Sequence, residues 1–117
     1  MKSFKQKLLA AYGPGTAHPS FQWSPDNPTA GQCAITALLV YEAYGYDIYE
    51  VKVNRSRHFF NKTPSGEIVD LTAEQFAKPI DYSDCRQRNP RDLYKSCNER
   101  LNRLKFKLTG GQLHEAE

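Results

Sequence analysis

Arg57-His58-Phe59-Phe60-Asn61-Lys62-Thr63-Pro64-Ser65-Gly66-Glu67-Ile68-Val69-Asp70-Leu71 is the stretch whose reading decides the fold. Its two arms, Arg57 to Thr63 and Glu67 to Leu71, carry the aromatic and β-branched residues that suit strands. Between them Pro64-Ser65-Gly66 reads as a type I turn followed by a left-handed glycine, the three-residue hairpin loop with a bulge. Such a loop pairs Thr63 with Glu67 and sets Phe60 opposite Asp70. His58 is then diagonal to Asp70 on the same face, roughly 7–8 Å away at the backbone and within side-chain reach. A loop one residue longer or shorter would put the two on opposite faces.

Upstream, Tyr49, Val51 and Val53 alternate with Glu50, Lys52 and Asn54, the period of a half-buried strand. Before that strand, the run from about Gln32 to Tyr44 (Ala34, Ile35, Ala37, Leu38, Leu39, Val40, Tyr41, Ala43) is apolar on nearly all sides. It predicts a central, buried helix ended by Gly45. Cys33 stands at its start, directly after the turn-forming Asn27-Pro28-Thr29-Ala30-Gly31. A thiol in a helix's first turn faces unpaired N–H groups and the positive end of the dipole, an environment that favours thiolate. Cys33, His58 and Asp70 therefore follow one another as nucleophile, base and orienting group. Gln32 is placed to offer an amide N–H, and the Cys33 backbone N–H a second donor, to an oxyanion.

Each of these residues also has a plainer reading. Cysteine is among the residue types most often buried, so Cys33 could be a core residue of an apolar helix. His58 could be a strand residue without a role. An Asp within an otherwise apolar strand needs a partner, and Asp70 could find it by capping a helix near Thr72 instead of orienting His58. Asn61 falls on the face opposite His58 and reads as structural.

Towards the N-terminus, residues about 3 to 12 read as a short amphipathic helix stopped by Gly13-Pro14-Gly15. From Gly13 to Gly31 the chain is turn-rich, and Phe21 and Trp23 anchor it as an ordered loop. Trp23 is the aromatic expected beside the substrate. Downstream of the hairpin, Thr72 can cap a short helix over Ala73 to Ala77, which Pro79 ends. Asp81 to Asn89 is loop-like. Asn89-Pro90 looks like an N-cap followed by Pro at the first helical position. Leu93, Cys97, Leu101, Leu104 and Leu108 then recur at three- and four-residue spacing along a last amphipathic helix ending at Gly110-Gly111. The tail from Gln112 to Glu117 is expected to fray.

At 117 residues this is expected to be one α+β domain: an N-terminal helix and turn over 1–15, a core over 16–111 and a tail over 112–117. Its centre is the Cys-bearing helix, packed on a short antiparallel sheet with flanking helices. A hydrophobic content of 39% and a charged content of 25% are those of a soluble protein, and the net charge of +3 is mild. Basic residues thicken after position 85, but Asp84, Asp92 and Glu99 interrupt them, so the run reads as a solvated face and not as a nucleic-acid site. The N-terminal apolar stretch is too short for a signal peptide, and no run reaches transmembrane length. Three cysteines without close spacing fit a reducing compartment, so the expected location is cytoplasmic and Cys33 a free thiol. Zinc would have to use Cys33, His58, Cys85 and Cys97, which show no Cys-x-x-Cys or His-x-x-x-His pairing. No metal and no cofactor are expected.

The blocks Trp23-Ser24-Pro25-Asp26-Asn27-Pro28 through Gly31-Gln32-Cys33-Ala34-Ile35-Thr36-Ala37-Leu38, His58-Phe59-Phe60-Asn61, and Asp70-Leu71-Thr72-Ala73-Glu74-Gln75-Phe76 resemble the small YunG-like family of bacterial and phage proteins. The resemblance runs from about residue 21 to 108. That family is similar to papain-like and transglutaminase-like folds, in which a Cys at a helix start meets a His and an Asp or Asn on a following antiparallel sheet. It implies Cys33 as nucleophile, His58 as base and Asp70 as orienting group. Papain-like proteases place their oxyanion Gln several residues before the Cys, whereas Gln32 is adjacent to Cys33, and the chain has no second lobe. The expected activity is thiol-dependent acyl transfer or amide hydrolysis on a protein or peptide, as a peptidase, a deamidase or a transglutaminase-like enzyme. The alternative is a non-catalytic cytosolic protein that occludes a host or phage partner, for which the aromatic loop and the basic last helix would serve as interface.

Overall fold

In the computed structural model, which describes residues 2–110, the hairpin forms in the expected register. Thr63 N–H donates to Glu67 O at 2.9 Å and Gly66 N–H to Thr63 O at 2.9 Å, with Gly66 at φ +92°. The strand β2 (Ser56–Lys62) pairs with the strand β3 (Ile68–Val69) through Asn61↔Val69 and Lys62↔Ile68. The second arm is shorter than its sequence implies, because Asp70 leaves the ladder instead of pairing with Phe60. Its Oδ1 accepts from Thr72 N–H at 3.2 Å, turning the chain away from the sheet.

Antiparallel to β2 on its other side lies the strand β1 (Asp47–Val53), in a register running from Asp47↔Lys62 to Val53↔Ser56. Asn54 and Arg55 close that hairpin as a two-residue loop, both at positive φ (51° and 70°), the handedness that matches strand twist. The outer edge of β1 is covered by the strand β4 (Arg86–Arg88), giving the order β3-β2-β1-β4. β4 corrects the expectation of a loop over Asp81 to Asn89. Arg-Gln-Arg carries no apolar alternation, and its strand conformation comes from the free edge of β1.

The helix α1 spans Lys2–Ala11 and the central helix α2 Cys33–Tyr44, which ends on a left-handed Gly45. The last helix, α3 (Pro90–Leu108), opens as its sequence predicts, with Asn89 Oδ1 accepting from Arg91 N–H at 3.0 Å and Pro90 in the first turn. It is not continuous. Cys97 has non-helical φ/ψ (−133°, 16°), and its thiol donates at 2.8 Å to Leu93 O, the carbonyl four residues back, a side-chain intrusion of the kind that kinks helices. Over Ala73 to Ala77 the expected helix is only a 3₁₀ turn at Ala73–Gln75. Thr72 does not cap it through its side chain, and its hydroxyl is directed to Asp70 Oδ1 instead. The expected fraying of 112–117 lies outside the described residues.

Register divides the sheet into two faces. Ile48, Glu50, Phe59 and Asn61 share one, and it meets the helices: Ile48 and Phe59 pack with Leu8, Ile35, Leu38, Leu93, Leu101 and Leu104 in the core. Asn61, fully inside, donates through Nδ2 to Ala37 O (3.0 Å) and Tyr46 O (3.2 Å), the structural role its position implied. Tyr49, Val51, His58 and Phe60 share the other face, which the chain beyond β3 covers with Phe76 and Tyr82. The protein is thus an α+β domain with its Cys-bearing helix packed on a small antiparallel sheet.

Candidate active site

Cys33 occupies the first position of α2 and is nearly buried, at 8% exposure. The chain enters the helix through Gly31 at φ +72°, where a Cβ would fall 2.9 Å from His18 N, so glycine is required both by conformation and by space. Gln32, the N-cap, makes no side-chain cap bond. The N–H groups of the first helical turn have no carbonyl four residues back to accept from them, and without a side-chain cap they remain as donors beside the Cys33 sulfur.

His58 lies wholly inside the protein. Its ring stacks on Phe60 (centroids 6.4 Å, 17°) and meets Phe76 edge-on (5.0 Å, 87°), which fixes its plane. Nε2 is 2.6 Å from Asp70 Oδ2, while Nδ1 is buried and, apart from the Cys33 thiol at the ring, bonds no side chain or backbone group. Burial draws the His58 pKa down, but the hydrogen bond donated to Asp70, the bond to the Cys33 thiol, and the charges of both outweigh it, leaving His58 at about 9. The ring is therefore an imidazolium at neutral pH. Asp70, 4% exposed at its side chain, has every oxygen occupied: Oδ2 also accepts from the Tyr82 hydroxyl at 2.7 Å, and Oδ1 serves Thr72. The Asp70 carboxylate thus bonds the His58 ring and the Thr72 backbone and hydroxyl at once.

Gln75 links the segment around His58 to the chain leading into α2. Its Oε1 accepts from Gly31 N–H and its backbone carbonyl from Asn27 Nδ2, both at 3.3 Å, which ties the segment covering His58 to the loop that carries Cys33. Gln32 is not at the oxyanion position that sequence assigned it. Fully buried, it donates through Nε2 to Gly13 O at 3.2 Å and holds the end of the N-terminal helix against the start of α2. Trp23 also stays clear of the sulfur, its indole N–H donating to Pro28 O at 2.9 Å as an anchor of the ordered loop. Neither residue lines the cleft at Cys33.

That cleft, of about 480 Å³, is walled by Phe21, Phe59 and Leu93 and carries Arg57, Arg88, Arg100 and Asp92. Of Cys33 and His58, only Cys33 opens onto it. Arg88 is held by the buried carboxylate of Glu50 and lies 4.0 Å from Asp92. His18 sits at the rim, below its ordinary pKa through partial burial and the nearby Arg100 charge. Nothing in the local pattern marked Tyr82, twelve residues beyond Asp70 in an irregular segment. Arg100 had a legible signal, since Leu93, Ser96 and Arg100 recur at helical spacing along one wall of the cleft. Among the described residues no group of three or more His, Cys, Asp or Glu is placed to hold a metal ion, and Cys33, Cys85 and Cys97 are free thiols. No helix of the described residues is long and apolar enough to cross a membrane.

Comparison with protein families matches residues 1–112 to the family described as YunG protein. The chain belongs to the YunG family. A relative from Bacillus subtilis (strain 168), named "Uncharacterized protein YunG", is 40% identical over 65 residues, which is 56% of this chain and 56% of that protein. The aligned stretch thus spans about half the length of this curated YunG relative. No solved structure matches the chain.

Proposed function

We propose that this YunG protein is a cysteine hydrolase or acyltransferase acting on a protein or peptide amide, with Cys33 as nucleophile, His58 as acid and base, and Asp70 as orienting group. One observation carries the reading: a fully buried histidine whose Nε2 is bonded to a buried carboxylate, whose ring meets the Cys33 thiol, and whose Nδ1 bonds no other side chain or backbone group. A structural histidine would be expected to spend both nitrogens. The order of a Cys at a helix start, then His and Asp on the following hairpin, is also that of papain-like and transglutaminase-like enzymes, and this likeness rests on the constellation alone.

In this reading the Sγ proton resides on Nδ1, and the sulfur attacks the amide carbonyl carbon. The S–C bond forms as the carbonyl electrons move to oxygen, to which the first-turn N–H groups of α2 donate hydrogen bonds. Collapse breaks the C–N bond, and the Nδ1 proton goes to the leaving amine. His58 does not open onto the cleft, so the leaving nitrogen has to seat against Cys33 to receive it. Water, deprotonated by the now neutral His58, resolves the thioester in a peptidase or deamidase; an amine does so in a transglutaminase.

The test is competitive alkylation by iodoacetamide at about pH 6, where an ordinary thiol is almost wholly protonated. Cys33 should be carbamidomethylated at least about tenfold faster than Cys85, and His58→Ala should remove the advantage. Equal rates in the wild-type protein would sink the proposal.

A further inference from the structure

Charge in the cleft is unevenly compensated. Arg88 has two carboxylates near it, Glu50 and Asp92. Arg57 has no ion pair and no side-chain hydrogen bond among the described residues, although it lies beside Cys33's pocket. Arg100 is anchored without being neutralised: Nη1 donates to Thr16 O (3.2 Å) and to Gly31 O (3.4 Å), two carbonyls, the second only two residues before Cys33. The other N–H groups of its fork have no acceptor among the described residues. Two guanidinium charges, one of them held rigidly, therefore stand over a small cleft whose one lining carboxylate already leans to Arg88. At the rim, partial burial and then the Arg100 charge lower the His18 pKa.

We propose that the cleft selects acyl substrates bearing a carboxylate close to the scissile carbonyl, bound by Arg57 and Arg100 while the carbonyl meets Cys33. A planar guanidinium with free N–H groups matches a carboxylate in two-point geometry, and in a cleft partly shielded from water that pairing discriminates strongly against a neutral isostere. The apolar walls at Phe59 and Leu93 take the substrate's hydrocarbon. The carboxylate can come from an acidic side chain on the acyl side or from the chain end of the leaving group. This inference rests on the Cys33 reading.

Two pairs of small thioesters test it. In one pair the acyl chain ends in carboxylate or carboxamide; in the other the leaving thiol carries the same change. In each, Cys33 Sγ forms a new bond to the carbonyl carbon, the bond to the leaving sulfur breaks, and the leaving thiolate takes the proton held on His58. Acylation of Cys33 is followed by mass spectrometry at low and high salt. A carboxylate preference of about tenfold or more in either pair, reduced in high salt, lost in Arg57→Gln and only partly restored in Arg57→Lys, is the expected result. Preference in the first pair identifies an acidic side chain, in the second a chain-terminal carboxylate. Arg57 is exposed, so its replacement leaves the fold intact. His58-dependent acylation at equal rates within both pairs overturns the carboxylate inference and leaves the catalytic one standing. If no thioester acylates Cys33 ahead of Cys85, the catalytic reading fails and takes this inference with it.

Discussion

Tyr82 and His58 share one oxygen: the hydroxyl of the first, at 2.7 Å, and Nε2 of the second, at 2.6 Å, both bond Asp70 Oδ2. A carboxylate oxygen held by two donors has little freedom to turn, so Tyr82 acts on the candidate site through Asp70 without touching the sulfur. Burial and the adjoining Asp70 charge also keep the Tyr82 phenol well above its ordinary pKa, so it stays a donor.

Tyr82→Phe keeps the ring that packs on Phe60 (4.8 Å, 61°) and removes only the hydroxyl. The expected outcome is a loss of about 1 kcal/mol in stability, read by denaturant unfolding. Cys33 alkylation should fall severalfold.

The His58 titration has a direction that can be worked out. Its folded pKa, about 9, lies above the ordinary 6.5 because Asp70 and Cys33 outweigh burial. The protonated ring therefore stabilises the fold fully below pH 6.5, and this contribution is lost as pH rises through about 9. Its size is on the order of 3 kcal/mol. In Asp70→Asn the main opposing partner is gone, burial prevails, and NMR should find His58 titrating below 6.5 with the alkaline loss of stability abolished. A His58 pKa unchanged by Asp70→Asn would contradict the assignment.

Asn61→Leu tests the other face of β2. It removes the side-chain donor from Tyr46 O, whose loss costs about 1–3 kcal/mol, and a second donor from Ala37 O, which keeps its helical partner in α2. Unfolding should show a loss of about 1–3 kcal/mol. An unaltered midpoint would mean that α2 is not held to the sheet there.

Gly31 and Gly45 have nearly the same φ, +72° and +73°, but different surroundings. At Gly45 an added Cβ meets nothing within 4 Å, so Gly45→Ala carries only the left-handed backbone cost of about 1 kcal/mol. At Gly31 it meets His18 N at 2.9 Å and Phe21 Cβ at 3.1 Å, and Gly31→Ala should cost at least about twice as much. It should also slow Cys33 alkylation, because the clash displaces the turn that leads into α2. Equal unfolding midpoints for the two variants would overturn the comparison.

By itself the sequence determined what depends on local chain chemistry. Pro64-Ser65-Gly66 sets the loop length, the loop length sets the register of Asn61 with Val69, and Asp70, the residue after that pair, comes within reach of His58. Gly45 and Asn89-Pro90 likewise placed helix ends, since caps act within a few residues. Tertiary structure decided what depends on partners distant in the chain. The Asp81 to Asn89 segment becomes a strand at Arg86–Arg88 only because β1 has an edge to fill. Gln32, adjacent to Cys33, spends its amide on Gly13 O, and the carboxylate of Asp70 draws in Tyr82. Arg88 and Arg100, which read along the chain as part of a solvated basic face, converge with Arg57 on the cleft at Cys33 because Arg57 and Arg88 ride on β2 and β4 and Arg100 on α3. Backbone preferences act between neighbours, whereas which buried polar group finds which partner is settled only when helices and sheet pack.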